Sequence, residues 1–379
     1  MKLLVQPGDG VAPFIDAINR AQSRVEIVVF RFDRAEIENA LANAAARGVF
    51  VHALIAYTNR GGERNLRKLE MRLLEHGITV ARTADGLARY HDKFLIVDRR
   101  ELFLLSFNFT HLDIEYSRCF GVITRNPRLV AEAVKLFEAD TKRQPYQAGL
   151  STFVVSPVNA RKQLAAFLSG AKKQLLIYDP EISDPAMLRV LEERAQSGVE
   201  IKVIGRVRGN STIAAHKLTI MRLHTRTIIR DGSRAFIGSQ SLRELELNAR
   251  RELGIVFRDK KIAAKLAKIF QSDWEAIERA PEQVRDTIPQ DGSMDDADQA
   301  AKVAKKVAKA VTKDLPPVAP MLRVVVRELV GDAADMELDT AVVEESVKEA
   351  VKDAVRDAVE SAVEHNGGPA AIEPAEANR

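Results

Sequence analysis

HDKFLIVD, running from His91 to Asp98, and HTRTIIRD, running from His224 to Asp231, share one polar skeleton and lie 133 residues apart. The same shift carries Phe103 onto Phe236, Ser106 onto Ser239, Gly121 onto Gly254, Phe137 onto Phe270 and Asp140 onto Asp273, and it sets Asn108 against Ser241. A register held without a gap over some 50 residues marks a duplicated unit, each copy carrying one histidine and one cation.

Upstream of each motif the chain alternates helix-like and strand-like stretches. Val11, Phe14, Ile15 and Ile18 recur at helical spacing, Val25–Phe30 is an apolar run of strand length, and Glu36–Arg47 is again helical before Gly48 stops it. Val49–Ala56, a helix at Asn65–Glu75 and a strand at Ile78–Ala81 complete a βαβ rhythm. In the second copy Gly198 matches Gly48 at a shift of 150, so about 17 residues are missing there. The expected deletion is the helix at Asn65–Glu75. Basic loops follow the matching strands, Asn59-Arg60-Gly61-Gly62 in copy one and Arg206-Val207-Arg208-Gly209 in copy two. The expected division is therefore residues 1–148, residues 149–280 and a tail at 281–379, with Thr141–Ser151 as the joint between copies.

The tail is a different material. Val343, Val347, Val351, Val355, Val359 and Val363 recur at steps of four, a basic run spans Lys302–Lys313, and LPPVAP separates the two. Loose helix or disorder is expected there, with a protein partner as its reading. Charge divides the same way: residues 1–280 hold 45 Lys+Arg against 32 Asp+Glu, and residues 281–379 hold 12 against 21. A basic body suits a polyanionic partner, nucleic acid or anionic lipid. Cys119 is the single cysteine, which excludes an internal disulfide framework and a Cys-rich zinc site. Residues 1–20 lack the apolar run of an export signal, and the expected location is cytoplasmic, extending to the inner face of the membrane.

Residues two apart on a strand project to one side. His91 with Lys93, His224 with Arg226, Ser106 with Asn108 and Ser239 with Ser241 can thus each face a common spot. An imidazole, a cation and short hydrogen-bonding groups fit a phosphate. The cation and neutral donors stabilise phosphoryl oxygens, while one imidazole attacks phosphorus and another protonates the departing oxygen. A metal site on His91, Asp92, His111 and Asp113 is the competing reading, but copy two keeps only its first histidine.

With two HxKxxxxD-type motifs, residues 1 to about 280 resemble the phospholipase D superfamily, and DGVAPFIDAINRAQSRVEIVVF is similar to the opening of bacterial cardiolipin synthase-like members. The resemblance implies an α/β fold of two pseudo-twofold αβαβα sandwiches, each with a central mixed sheet, whose histidines meet at their interface. It implies no metal and no cofactor. It casts His91 as the nucleophile that becomes a phosphohistidine, and His224 as the acid and then the base. Lys93, Arg226, Asn108 and Ser241 would clamp the phosphate, supported by Ser106 and Ser239, while Asp98 and Asp231 brace the hairpins. Glu252 would orient His224, and Glu115 or Asp113 would orient His91. The departures are Arg226 for lysine, Leu105 before Ser106 where Gly238 precedes Ser239, and Cys119 at the place of Glu252. The expected enzyme is a phosphodiesterase or phosphatidyl transferase acting on a phospholipid headgroup, with peripheral membrane contact. The alternatives are a nuclease of the same chemistry and a scaffold with a decayed site.

Overall fold

The computed structural model describes residues 1–57, 63–209 and 212–285. The Asn59–Gly62 loop and the tail segments lie outside the described residues. In copy one the elements are β1 (Lys2–Gln6), α1 (Ala12–Arg20), β2 (Arg24–Val29), α2 (Ala35–Ala46), β3 (Phe50–Ile55), α3 (Glu63–Glu75), β4 (Thr79–Arg82), β5 (Arg89–Tyr90), β6 (Phe94–Val97), β7 (Glu101–Leu105), α4 (His111–Glu115), β8 (Ser117–Thr124) and α5 (Pro127–Thr141). Copy two continues with β9 (Phe153–Ser156), α6 (Ala160–Ser169), β10 (Gln174–Ile182), α7 (Pro185–Gln196), β11 (Glu200–Val207), β12 (Ala214–His216), β13 (Arg222–Leu223), β14 (Arg226–Arg230), β15 (Arg234–Gly238), α8 (Glu244–Asn248), β16 (Arg250–Arg258) and α9 (Lys260–Arg285). Among the described residues α3 has no counterpart between β11 and β12, which accounts for the shortened spacing of copy two.

The two sheets have the same order. Copy one runs β1-β8-β7-β6-β2-β3-β4, and copy two runs β9-β16-β15-β14-β10-β11-β12. Each is mixed, parallel at β2–β3–β4 and β10–β11–β12 and antiparallel elsewhere along the path. Gly48 and Gly198 close α2 and α7 at φ +86° and +82°, a backbone state that side chains with a Cβ resist, which is why both copies keep glycine at this turn.

Strand alternation sorts the apolar side chains into layers. Phe94, Ile96, Leu102, Leu104, Phe120 and Val122 of the first sheet join Tyr178, Ile229, Ile237, Leu253 and Ile255 of the second, together with α5 and α9, in one shared core. The opposite faces, such as Leu95, Val97 and Phe103, pack under α1, α2 and α3, and Ile177, Ile228 and Phe236 pack under α6 and α7. Both copies thus belong to one compact unit, Met1–Glu278. Leu105 takes part in the outer core of copy one and is 1% exposed, so its departure from glycine is a packing choice turned away from the polar face of Ser106 and Asn108.

Two short strands cross between copies. β5 pairs in parallel with Arg250–Arg251 of β16, and β13 pairs in parallel with Ser117–Arg118 of β8. Buried ion pairs repeat the exchange: Arg118 of β8 grips Asp273 of α9 with two 2.8 Å bonds, and Arg251 of β16 reaches Asp140 of α5 at 2.9 Å. The four residues are matched by the 133-residue shift, so one device is used twice about the pseudo-twofold axis.

Candidate active site

The crossing strands deliver the histidines. His91 follows β5 directly and its N–H donates to the Arg251 carbonyl at 2.7 Å, while His224 follows β13 and its N–H donates to the Arg118 carbonyl at 3.3 Å. Each imidazole therefore lies against the last strand of the opposite copy. His91 and Lys93 stand just before β6, and His224 just before β14.

This exchange reassigns the orienting groups. Nδ1 of His91 meets Oε2 of Glu252 at 2.8 Å, whereas Glu252 was expected on His224. Nδ1 of His224 meets Oδ2 of Asp113 at 3.2 Å and the Cys119 sulfur at 3.9 Å, whereas Asp113 was expected on His91. The correction follows from β5 and β13 crossing over, so the next residue on the neighbouring strand is supplied by the other copy. Glu115 orients neither histidine; it pairs with Arg34 at the surface. Cys119 and Glu252 are matched positions, as are Asp113 and Glu246, so the two half-sites meet one need with different residues.

Asp113 is a fixed anion. Oδ2 accepts from the Asn108 backbone N–H at 2.8 Å and from its Nδ2 at 2.7 Å, and Oδ1 accepts from Arg222 at 2.5 Å. Burial works against the charge, but His224, Arg222 and the Asn108 amide hold the carboxyl at about 2. Glu246, accepting from the Ser241 N–H at 2.6 Å, is likewise kept at about 2 against burial by Arg226 and Arg243. Glu252 is different: burial and the nearby Glu246 charge raise it to about 8, with Lys93 opposing. Burial pushes both imidazoles well below the usual histidine range, and it raises the Cys119 thiol far above its ordinary value, so sulfur offers no anion.

The cations converge from both sides. Lys93 and Arg226 each act electrostatically on both His91 and His224. Lys93 is 1% exposed, its Nζ has no hydrogen bond, and burial lowers it to about 7. Arg226 donates from Nε to Ser241 at 3.1 Å and from Nη1 to the His224 carbonyl at 2.7 Å. The side-chain Oδ1 of Asn108 is also buried and unpaired, while its Nδ2 donates to Asp113, so Asn108 braces that carboxylate and its amide nitrogen is not free for the expected phosphate clamp. A phosphate between the histidines would give Lys93 its partner.

Ser106 and Ser239 are placed otherwise than expected. Both are fully buried, with hydroxyls that accept from the Phe120 and Leu253 backbone N–H groups at 3.2 and 3.1 Å. These serines tie β7 to β8 and β15 to β16, and the Ser239 hydroxyl also bonds the Glu252 carboxyl that orients His91, so its support of the site is indirect. Asp98 and Asp231 sit at hairpin turns with φ +51°, accepting from the amides of residues 22–24 and 172–174. The competing metal quartet is not assembled: His111 pairs with Asp33 at 2.9 Å, and among the described residues no group of three or more His, Cys, Asp or Glu could hold a metal ion.

Phe30 escaped the sequence reading. Its ring meets the His91 imidazole edge-on at 4.6 Å and lies under Lys93 at 5.3 Å, so it packs both in place. Glu246 also went unnoticed, although the register from Asp113 points to it. A cavity of about 530 Å³ is lined by Arg243, Leu245, Glu246 and Arg250 among others, and the charges of Glu246 and Arg250 reach His91.

The arrangement can be set beside known proteins. Residues 14–141 and 164–274 match the family described as cardiolipin synthase, PLD-like domain. The chain belongs to this phospholipase D-like family. Both repeats fall within the match, as the duplicated motifs require. Among solved structures, polyphosphate kinase from Porphyromonas gingivalis is similar at 20% identity and TM-score 0.60, covering 72% of this chain, which spans 50% of the kinase. Phosphatidylserine synthase from Haemophilus influenzae Rd KW20 is similar at 10% identity and TM-score 0.53, covering 72% of this chain and 85% of the synthase. At these identities the likeness is one of fold. No curated protein matches the chain.

Proposed function

We propose that this protein is a metal-independent phosphodiesterase or phosphatidyl transferase that acts on phospholipid through a phosphohistidine. At the level of the superfamily, membership supports an enzyme acting on phosphodiesters. The observation that supports a two-histidine step is the crossed pairing, in which each histidine meets a carboxylate from the other copy and both cations act on both imidazoles.

Nε2 of His91 attacks phosphorus while Nδ1–H is held by the Glu252 carboxylate. The phosphorus–oxygen bond to the leaving group breaks, and Nε2 of His224 gives that oxygen a proton. Water or an alcohol then attacks the phosphohistidine, His224 takes its proton, and the phosphorus–nitrogen bond breaks. Asp113 raises His224 against the burial that lowers it, and the negative charge of a bound diester adds to that pull, which suits His224 to the acid role once substrate is in place. Burial lowers His91 and keeps its imidazole neutral for attack, while Glu252, when ionised, holds the ring proton on Nδ1 and leaves Nε2 free. Lys93 and Arg226 stabilise the charge that builds on the phosphoryl oxygens. The same support favours an enzyme over a decayed scaffold, since Asp113 replaces the carboxylate that Cys119 does not supply.

The excess of basic residues in 1–280 favours a second reading, a nuclease of the same chemistry. With chelator present throughout, purified protein is expected to cleave phosphatidylglycerol vesicles and to leave single- and double-stranded DNA intact. Cleavage of DNA alone would move the protein to the second reading, and activity lost to the chelator would overturn the metal-independent step.

A further inference from the structure

The two cations, Lys93 and Arg226, lie in unlike surroundings. Along β2 and β10 the copies keep the shift of 150, since Val29 pairs with Ile55 as Asp179 pairs with Gly205, and that shift sets Val29 against Asp179. Val28 stands opposite Phe94 and Tyr178 opposite Thr227, so one step further along Val29 falls beside Lys93 and Asp179 beside Arg226. The shift of 133 also turns Leu105 and Phe107, which join Val29 in the outer core of copy one, into Gly238 and Gln240. Lysine is thus matched with three apolar residues, and arginine with a carboxylate, a glycine and an amide.

A carboxylate at a core position costs folding energy and calls for a reason. Asp179 is buried, with Oδ2 accepting from the Leu242 N–H at 2.7 Å and Oδ1 accepting from the Glu181 N–H at 3.0 Å. Closing the turn is not reason enough. Copy one makes the matched turn with valine at 29: the Asp33 N–H donates to the Phe109 carbonyl there, as the Ser183 N–H donates to the Leu242 carbonyl here. What copy one lacks is an arginine in its motif. Leu242 follows Ser241, whose hydroxyl accepts from Nε of Arg226, and the Asp179 charge acts on Arg226 itself. Burial, with Glu246 adding to it, raises Asp179 to about 7 against the Leu242 N–H and Arg226, so the anion is present above neutrality.

We propose that Asp179 is a positioning residue for Arg226: it supplies the countercharge and fixes the Ser241–Leu242 turn that let an arginine serve where the first half-site has lysine. An ammonium is a point charge on a flexible stem, whereas a guanidinium is useful to a phosphate only when its plane is held. Nε on Ser241, Nη1 on the His224 carbonyl and the anion beside it hold that plane. In copy one the Lys93 ammonium has no neighbouring carboxylate on β2 to draw it away, and valine suits it. Arg226 with Asp179, and Lys93 with Val29, are therefore two solutions to one need, and mixing them fails. The inference rests on the reading of Arg226 as a phosphate clamp and deepens it.

The test is a cycle of substitutions in the full chain, read by calorimetric binding of inorganic phosphate and by kcat and KM for bis(p-nitrophenyl) phosphate at about pH 8. Arg226→Lys is expected to lose about tenfold in phosphate affinity and in kcat, because Asp179 draws the ammonium to itself. Asp179→Val/Arg226→Lys rebuilds the pairing of the first half-site and is expected to recover at least about fivefold of that loss. Should the valine variant melt early, because the Leu242 N–H has lost its acceptor, Asp179→Asn/Arg226→Lys keeps that acceptor and is expected to recover as much. No recovery in a folded double variant would overturn the assignment. Asp179→Asn alone gives a second readout. Its kcat is expected to be about tenfold below the parent's at about pH 8 and within about twofold at about pH 5.5, where the parent's Asp179 is itself protonated. The charged groups acting on it, Arg226 of β14, Glu246 of α8 and the adjoining Arg243, are the same in both proteins. A ratio that does not change with pH would leave Asp179 a merely structural residue. If phosphate binding shows the recovery but no diester is cut, only the catalytic reading fails. If diesters are cut and the losses simply add, only the role of Asp179 fails.

Discussion

Cys119 and Glu252 stand at matched places, yet only a carboxylate can hold an imidazole by charge. Asp113 fills the gap from the short helix α4 that precedes β8, fixed by Asn108 and Arg222. Asp113→Asn keeps the shape but offers His224 the wrong partner and gives up the Arg222 ion pair, so kcat of the folded protein is expected to fall by about 10²- to 10⁴-fold in a soluble-diester assay, with a lowered melting temperature. Cys119→Ser in the same assay is expected to stay within about twofold, because a buried neutral thiol contributes no charge. Equal losses in the two variants would remove Asp113 from its positioning role. At this scale the sequence displayed the histidines, the cations and Asn108 with Ser241, because motif spacing exposes them directly. It hid the pairing of Glu252 with His91, since counting residues along one copy cannot show a partner that arrives from the other.

β5 and β13 are two residues long, too short for any periodicity to mark, yet they set the site by lying on β16 and β8. The longer elements were legible: helical spacing gave α1 and α2, and the loss of a helix from copy two was visible as a change of shift from 133 to 150. The ion pairs that accompany the exchange are buried, with Asp273 3% and Arg118 11% exposed at the side chain. Asp273→Asn leaves the Arg118 charge without its counterion and Tyr178 with an altered acceptor. A loss of about 3–5 kcal/mol in chemical denaturation is expected. Glu101→Gln, at a pair whose Arg125 is 73% exposed, should cost less than about 1 kcal/mol. Similar costs for the two would mean that the crossing pairs do not hold the copies together.

Across the whole molecule, duplication supplies both the fold and the chemistry. One repeat brings an imidazole, a cation and a carboxylate, but the carboxylate serves the other repeat's imidazole, so the shared core of Met1–Glu278 is also a condition for the site. The duplication was readable from the register, and with it the fold class. What could not be read was that the repeats are interlocked, which depends on how two folded surfaces meet. At the centre stands the proposal that the two imidazoles act in turn on one phosphorus atom. The most direct measurement is a rapid quench of His224→Ala with bis(p-nitrophenyl) phosphate, followed by mass spectrometry. Nitrophenolate leaves without a proton, but the second step lacks its base. The expected result is a burst of about one nitrophenolate per chain with an aryl phosphoryl group trapped on His91. A label on any other residue, or steady release with His91 unmodified, would contradict the account.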